Sequence, residues 1–317
     1  MGTANKVRQT RTREGDGLSG DEAVSALHRY GRWQLARDAF VRFRYADGFS
    51  HARALAFQTT LSLVPFLIAV VGLSATLHTE QIGRVIELSV ERLTSGPSTG
   101  VVREVLERSR DRADDGGEAA LWLGALFSLV NLATAMCQIE RGANRIYGLE
   151  RDRPFHRKYL RGLLMALTAG LPLGLGFVLL TTGGVVADAA AEVYGFTHTT
   201  VVAWAVLRWP VGVLLALLAA SVIFRRAPRR AQPGYTWLAF GAAVYLVLWT
   251  ALTWALTVYL GVSGSFDAVY GPLSFFVSLL LWAYLTAVAL FLGLAFAAQL
   301  EAARAGSPAP VAPDPGT

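Results

Sequence analysis

The chain has 317 residues, 53% of them hydrophobic and only 16% charged, and its mean hydropathy is +0.41; an ordinary soluble domain carries roughly 25% charged residues, so that class is excluded. The net charge of +6 does not point to nucleic acid, because the basic residues lie in short stretches between apolar runs, where they report topology. Cys137 is the only cysteine, which excludes an intrachain disulfide and a thiolate metal site.

In chain order, residues 1–53 read as a basic cytoplasmic region whose first twenty residues are polar and disordered. From Asp21 to Tyr45, apolar Leu27, Leu35 and Phe43 alternate with Arg29, Arg32, Arg37, Arg42 and Arg44. The pattern predicts surface helices that turn basic side chains toward anionic headgroups, or a flank that only sets orientation. Ala54 to Leu77 is the first long uncharged run. Its 24 residues make a helix of roughly 36 Å, enough to cross a hydrocarbon core of ~30 Å. Gln58, Ser62 and Pro65 share one face of it, and Pro65 predicts a kink.

Residues 78–118 hold nine acidic and six basic residues at helical periodicity, and Gly96-Pro97 divides them. They read as an outer loop of two amphipathic helices lying against the bundle. Five further apolar spans follow, at 119–139, 160–182, 201–224, 235–260 and 272–298. In the third, Gly170 and Gly174 flank Pro172, a pattern for close helix packing with a bend. The loop at 140–159 has six basic residues against three acidic ones, and the stretch after the fourth span is basic throughout. Loops 1–2, 3–4 and 5–6 are neutral or acidic. The expected fold is therefore all-α: a six-helix transmembrane domain over 54–299 with both termini cytoplasmic, and a disordered cytoplasmic tail at 300–317. No carboxylate is expected inside the spans.

Three stretches together resemble the YihY/BrkB family of bacterial inner-membrane proteins. They are DGFSHARALAFQTTLSLVP from Asp47 to Pro65, NRIYGLERDRPFHRK from Asn144 to Lys158, and YGPLSFFVSLLLWAYLTAVALFLG from Tyr270 to Gly293. Order and spacing agree over roughly residues 35–300. The resemblance implies a six-helix inner-membrane protein tied in some members to serum resistance or the envelope, with transport suspected. It also implies that the family's older label, ribonuclease BN, was a misassignment. One departure stands out: after Gly293 the chain reads Leu294-Ala295-Phe296-Ala297, without the acidic residue and amide of many members.

Arg208 is the sharpest candidate for function, a lone cation about seven residues into the fourth span. A charge at that depth is costly unless it snorkels, pairs or faces a wet cavity. It reads as a contact for a lipid phosphate or other anion, or as an interfacial anchor beside Trp204 and Trp209, paired with Asp188 or Glu192. A weaker candidate is a polar intramembrane stripe of Gln58, Ser62, Asn131, Thr134, Gln138, Thr250, Thr253, Ser274 and Ser278, which could line a passage or bond helices together. Pro65 and Pro172 would supply kinks. Asn144, Arg145, Tyr147, Arg151 and Arg153 form a cytoplasmic loop able to grip headgroups or a partner.

The sequence contains no nucleotide-binding loop, no cofactor motif, no catalytic constellation and no metal-ligand spacing. The leading expectation is facilitated movement of a lipid or anionic amphiphile. The alternatives are an envelope scaffold and, last, an intramembrane lipid-modifying enzyme. The expected partners are anionic membrane lipids, with a second copy or an envelope protein as further possibilities, and not nucleic acid.

Overall fold

The computed structural model describes residues 4–7, 19–76, 81, 84–85, 88–89, 92, 99–262, 265–306 and 308–311, and within its helices leaves aside the side chains at 63–76, 99–103, 105–121, 265 and 267. The described chain is all-α apart from one isolated antiparallel bridge between Ala4 and Val311.

Two short helices, α1 (Gly20–Tyr30) and α2 (Arg32–Tyr45), precede the long ones. A Ser19/Glu22 capping box starts α1. Gly31, at φ 90°, makes the corner into α2, a conformation that suits glycine. The helix α3 (Gly48–Thr76) runs without interruption through Pro65. Next, α4 (Thr99–Ile146) is one helix of 48 residues, about 72 Å long. This corrects the expectation of surface-lying amphipathic helices at 78–118. From Thr99 onward that segment is the first part of α4, because Gly116-Gly117 weakens a helix without ending it. Its apolar part includes Trp122–Ile146. Most of 78–98 lies outside the described residues.

The third span is divided. It consists of α5 (Phe155–Met165), a π-helical turn at Ala166–Gly170, and α6 (Leu171–Thr181) with Pro172 in its first turn. Pro172 has no N–H to give the preceding turn, and a wide turn absorbs that gap without breaking the rod. Then come α7 (Gly183–Tyr194), α8 (His198–Arg226), α9 (Tyr235–Val262), the short α10 (Ser265–Tyr270) and α11 (Ser274–Arg304). The last helix runs past the expected boundary at 299, with Leu300, Glu301 and Ala302 buried.

Among the described residues, five helical stretches are long and apolar enough to cross a membrane: Trp122–Ile146, Phe155–Thr181, His198–Arg226, Tyr235–Val262 and Ala268–Arg304. Together with α3 they form a ring. Neighbours in it are α3 and α4, α4 and α5, α6 and α8, α8 and α9, α9 and α11, and α11 and α3. Glycines set the close approaches. A methyl group added at Gly241 would lie 2.8 Å from the Gly293 carbonyl, and one at Gly293 2.7 Å from the Gly241 carbonyl. Gly176 plays the same part between α6 and α8, against Gly212 and Ala216, whereas Gly174, expected at a helix contact, faces open space.

Both described terminal segments, α1, α2 and the ends of α4, α8 and α11 gather at one end of the ring, here called the basal end. The largest fully buried side chains, among them Trp237, Arg42, Tyr147, Tyr245, Phe224 and Phe291, lie in this half. Toward the opposite end burial thins, and Trp254, Tyr259, Val262 and Leu273 are exposed.

Candidate functional site

Away from the base, α6, α7 and α8 enclose an apolar cavity of about 400 Å³ lined by Leu175, Val178, Val186, Ala190, Phe196 and Trp204 among others. The sharp passage from α6 to α7 at Thr182–Gly183 folds α7 back against α8, and Trp204 Nε1 donates to the Gly183 carbonyl at 3.0 Å to hold it there. Thr200, Trp204 and Arg208 follow at four-residue steps on one face of α8. Arg208 therefore stands at the cavity rim, against Gly183 and Gly184. A methyl group at Gly184 would lie 2.9 Å from its Nη1, so the guanidinium packs directly on the glycine backbone.

Arg208 is half-buried and lies 5.2 Å from the Trp209 ring. Its Nε is buried without an acceptor, and among the described residues no carboxylate lies within 4.0 Å of it. The expected acidic partners do not serve it: Glu192 pairs with Arg92, and Asp188 is exposed.

The polar stripe does not converge. Gln58 and Asn131 meet across α3 and α4, with Gln58 Nε2 donating to Asn131 Oδ1 at 2.5 Å. Ser62, Thr134 and Thr250 instead give their hydroxyls to carbonyls of their own helices, at Thr59, Val130 and Leu246. Thr250 is exposed, Gln138, Thr253 and Ser278 are half-buried, and Ser274 is buried near the start of α11.

The loop at 140–159 is committed to internal bonding. Arg153 pairs with buried Glu140 at 2.8 Å and donates to the carbonyls of Ala227 and Pro228, both at 3.0 Å, which caps the end of α8. Asp152 accepts from Lys158 at 2.7 Å, Asn144 at 3.0 Å and Arg141 at 3.4 Å. Burial pushes its carboxyl up, but the bonds from Lys158 and Asn144 and the Lys158 charge outweigh that and hold it below the usual value. Asn144 also accepts from the Arg229 amide at 2.8 Å. Tyr147 is fully buried beneath Arg230, whose guanidinium lies 4.7 Å from the ring. Of Asn144, Arg145, Tyr147, Arg151 and Arg153, Arg145 and Arg151 are exposed.

Sequence reading missed the basal carboxylates. Glu140 and Glu301 are both about 1% exposed, each paired with an arginine, Arg153 and Arg230. Both lie just past the expected spans, in turns by which α4 and α11 continue. The signal was present in Gln299-x-Glu301, a polar pair one turn before Arg304 in an otherwise apolar helix. Arg42 was expected to face headgroups and is instead fully buried; burial lowers its pKa to about 10. Trp237 is buried too, while Trp122, Trp204 and Tyr235 are exposed. No group of three or more His, Cys, Asp or Glu side chains that could hold a metal ion occurs among the described residues.

A family model described as virulence factor BrkB matches residues 39–315. The chain is 24% identical over 259 residues to YfkH of Bacillus subtilis (strain 168), named as a ribonuclease-like protein, covering 81% of this chain and 91% of that one. It is 26% identical over 280 residues to a UPF0761 membrane protein of Rhodospirillum centenum, covering 88% and 60% of the two chains. A UPF0761 membrane protein of Stenotrophomonas maltophilia (strain K279a) is 26% identical over 287 residues, with 84% and 61% covered. The chain thus spans about three fifths of these UPF0761 relatives. No solved structure matches it.

Proposed function

Because the chain belongs to the YihY/BrkB family of multi-pass inner-membrane proteins, we propose that it binds an anionic amphiphile and eases its movement between the two faces of the bilayer. One observation supports this reading. An apolar cavity of about 400 Å³ opens beside a half-buried arginine that has no carboxylate partner among the described residues. A hydrocarbon tail suits the lining, and a phosphate or carboxylate head suits Arg208. Neither group serves the other's purpose, so the pair selects for a molecule with both.

The topology belongs to the same proposal. In it α3 is the sixth span of the ring, and the basic basal loops support a cytoplasmic position for both termini. On that orientation the cavity, away from the basal end, belongs to the outer half of the membrane. The basal carboxylates Glu140 and Glu301 are held by arginines, which makes them poor proton carriers and favours facilitated movement over proton-driven pumping.

Native mass spectrometry of the detergent-purified protein beside Arg208→Ala tests the reading. The wild type is expected to retain an anionic lipid or amphiphile that the variant loses, with the same assembly state. An adduct retained equally by both would remove Arg208 from the site. Its absence from both would turn attention to a scaffold role, read through exposed Arg145 and Arg151.

A further inference from the structure

The outward face of α2 carries one stripe. Trp33, Arg37, Phe40 and Arg44 follow at steps of four, three and four residues, which at 3.6 residues per turn places them within an arc of about 60°. Leu35, Ala39, Arg42 and Phe43 are buried on the other side, where Arg42 donates to Gln299 of α11 at 2.8 Å. Trp33 is 86% exposed and Phe40 47%, and Arg37 and Arg44 are exposed as well. Asp38 lies off the stripe, where it accepts the Tyr30 hydroxyl at 2.8 Å, and exposed Asp47 stands beyond it at the corner into α3.

The stripe does not end with α2. The Phe40 ring meets the Phe49 ring edge-on, with centroids 6.4 Å apart. From Phe49 an exposed face continues along α3 at four-residue steps through Arg53, Phe57 and Leu61. In the six-span topology proposed above, Phe57 and Leu61 lie against hydrocarbon. The α2 stripe is therefore continuous with a lipid-covered surface, at the level where the span begins. Its chemistry fits the headgroup layer: aromatic rings gain by leaving water at an interface, and arginines beside them meet lipid phosphates. Among the described residues, Arg37, Arg44 and Arg53 make no ion pair with a carboxylate, which leaves their charge to an outside anion.

We propose that α2 is an interfacial helix that binds anionic lipid. Trp33 and Phe40 enter the headgroup layer, and Arg37, Arg44 and Arg53 hold phosphates of the leaflet at the basal end. This surface is separate from the cavity at Arg208. It rests on α3 being a span and is independent of the amphiphile reading.

The test uses the full chain with Cys137→Ala, in nanodiscs of phosphatidylcholine alone or mixed with phosphatidylglycerol. A spin label is placed at Ala36→Cys, an exposed position one turn from both Trp33 and Phe40. Its collisions with oxygen, which concentrates in lipid, are compared with those of a water-soluble nickel complex. With phosphatidylglycerol present the label is expected to favour oxygen, and in phosphatidylcholine alone to shift toward nickel. Each arginine near an anionic surface favours contact by about a factor of five. Arg37→Glu combined with Arg44→Glu is therefore expected to reduce the immersed fraction at least about tenfold. Added salt is expected to act in the same direction on the intact stripe, which separates lost lipid contact from lost fold. A second label, at Leu61→Cys, is expected to meet oxygen in every disc; exposure to nickel there would overturn the topology and the proposal with it. With position 61 in lipid, three results at position 36 would overturn the proposal alone: a label that stays in water in both discs, one indifferent to phosphatidylglycerol, or one indifferent to the charge reversal. The first of these would leave the stripe to a soluble protein partner.

Discussion

At the scale of single residues, charged side chains here divide by what covers them. Glu140 and Arg153 are both largely buried and bonded to each other, so removing one leaves the other charge stranded. Glu140→Gln is expected to destabilise the protein by about 3 kcal/mol, read as a lower thermal midpoint in detergent, and Arg151→Gln, at an exposed position, to have little effect. His51 lies three residues before the uncharged run. Burial lowers its pKa, Asp47 opposes the shift, and Arg141 and Arg145 add to it. A histidine held neutral in the fold binds its proton more readily when unfolded, so its stabilising share is present above the unfolded value of about 6.5. That share is lost as pH falls through the lower folded value. His51→Gln is expected to flatten the decline of the melting temperature between about pH 6.5 and 5; an unchanged slope would count against this assignment. Asp152 behaves likewise further down, protecting the basal end until pH drops below about 4. Arg208 was legible in the sequence because a lone cation in an apolar run stands out. Arg42 was not, since it sits among other arginines in an amphipathic stretch and only its burial distinguishes it.

Helices meet through glycine where their backbones nearly touch, and this part of the packing is open to a simple comparison. Gly293→Ala and Gly241→Ala each drive a methyl group to within 2.8 Å of a backbone carbonyl on the facing helix. Neither α9 nor α11 can yield there without losing contacts along its length, so each change is expected to cost about 1–3 kcal/mol. Gly174→Ala meets nothing within 4 Å, and is expected to be neutral or to stabilise by about 0.5–1 kcal/mol, because alanine holds a helix better than glycine. Thermal melts of the three variants in one detergent decide the matter: equal effects would mean that α9 and α11 do not cross at these glycines. Small-residue spacing alone suggested Gly170 and Gly174. The rotation of α6, shifted by the π-helical turn before Pro172, brings Gly176 to α8 in place of Gly174. The length of α4 was illegible for a related reason, since a helix can continue from water into lipid without any residue marking the crossing.

As a whole molecule the protein is a ring closed by its first and last long helices, with dense packing at the base and a looser opposite half. The proposed topology is tested in whole cells with a membrane-impermeant maleimide, on a Cys137→Ala background. His198→Cys, at the start of α8, is expected to label directly, and Arg151→Cys only after the membrane is permeabilised. The reverse pattern would invert the orientation, and direct labelling of both would break the six-span count. Basal packing also joins the described ends of the chain: Ala4 bridges Val311, and Gln299 donates to Pro308 at 2.6 Å. The tail expected to be free is therefore tied down between 308 and 311.

From the sequence alone follow the apolar spans, the alternation of basic and acidic loops, the helical class and the family resemblance. Each depends on composition within a contiguous stretch, and the energy of moving that stretch from water to lipid is nearly additive along it. Tertiary structure alone decided which charges are buried, which glycine carries a crossing, and that Arg208 stands beside a cavity. Those outcomes depend on helix rotation and on contacts between residues as distant as Asn5, Arg42, Arg230 and Glu301, and local pattern does not encode them. A buried arginine and an exposed one are written with the same letter, and only the surrounding elements set the dielectric in which the charge is felt.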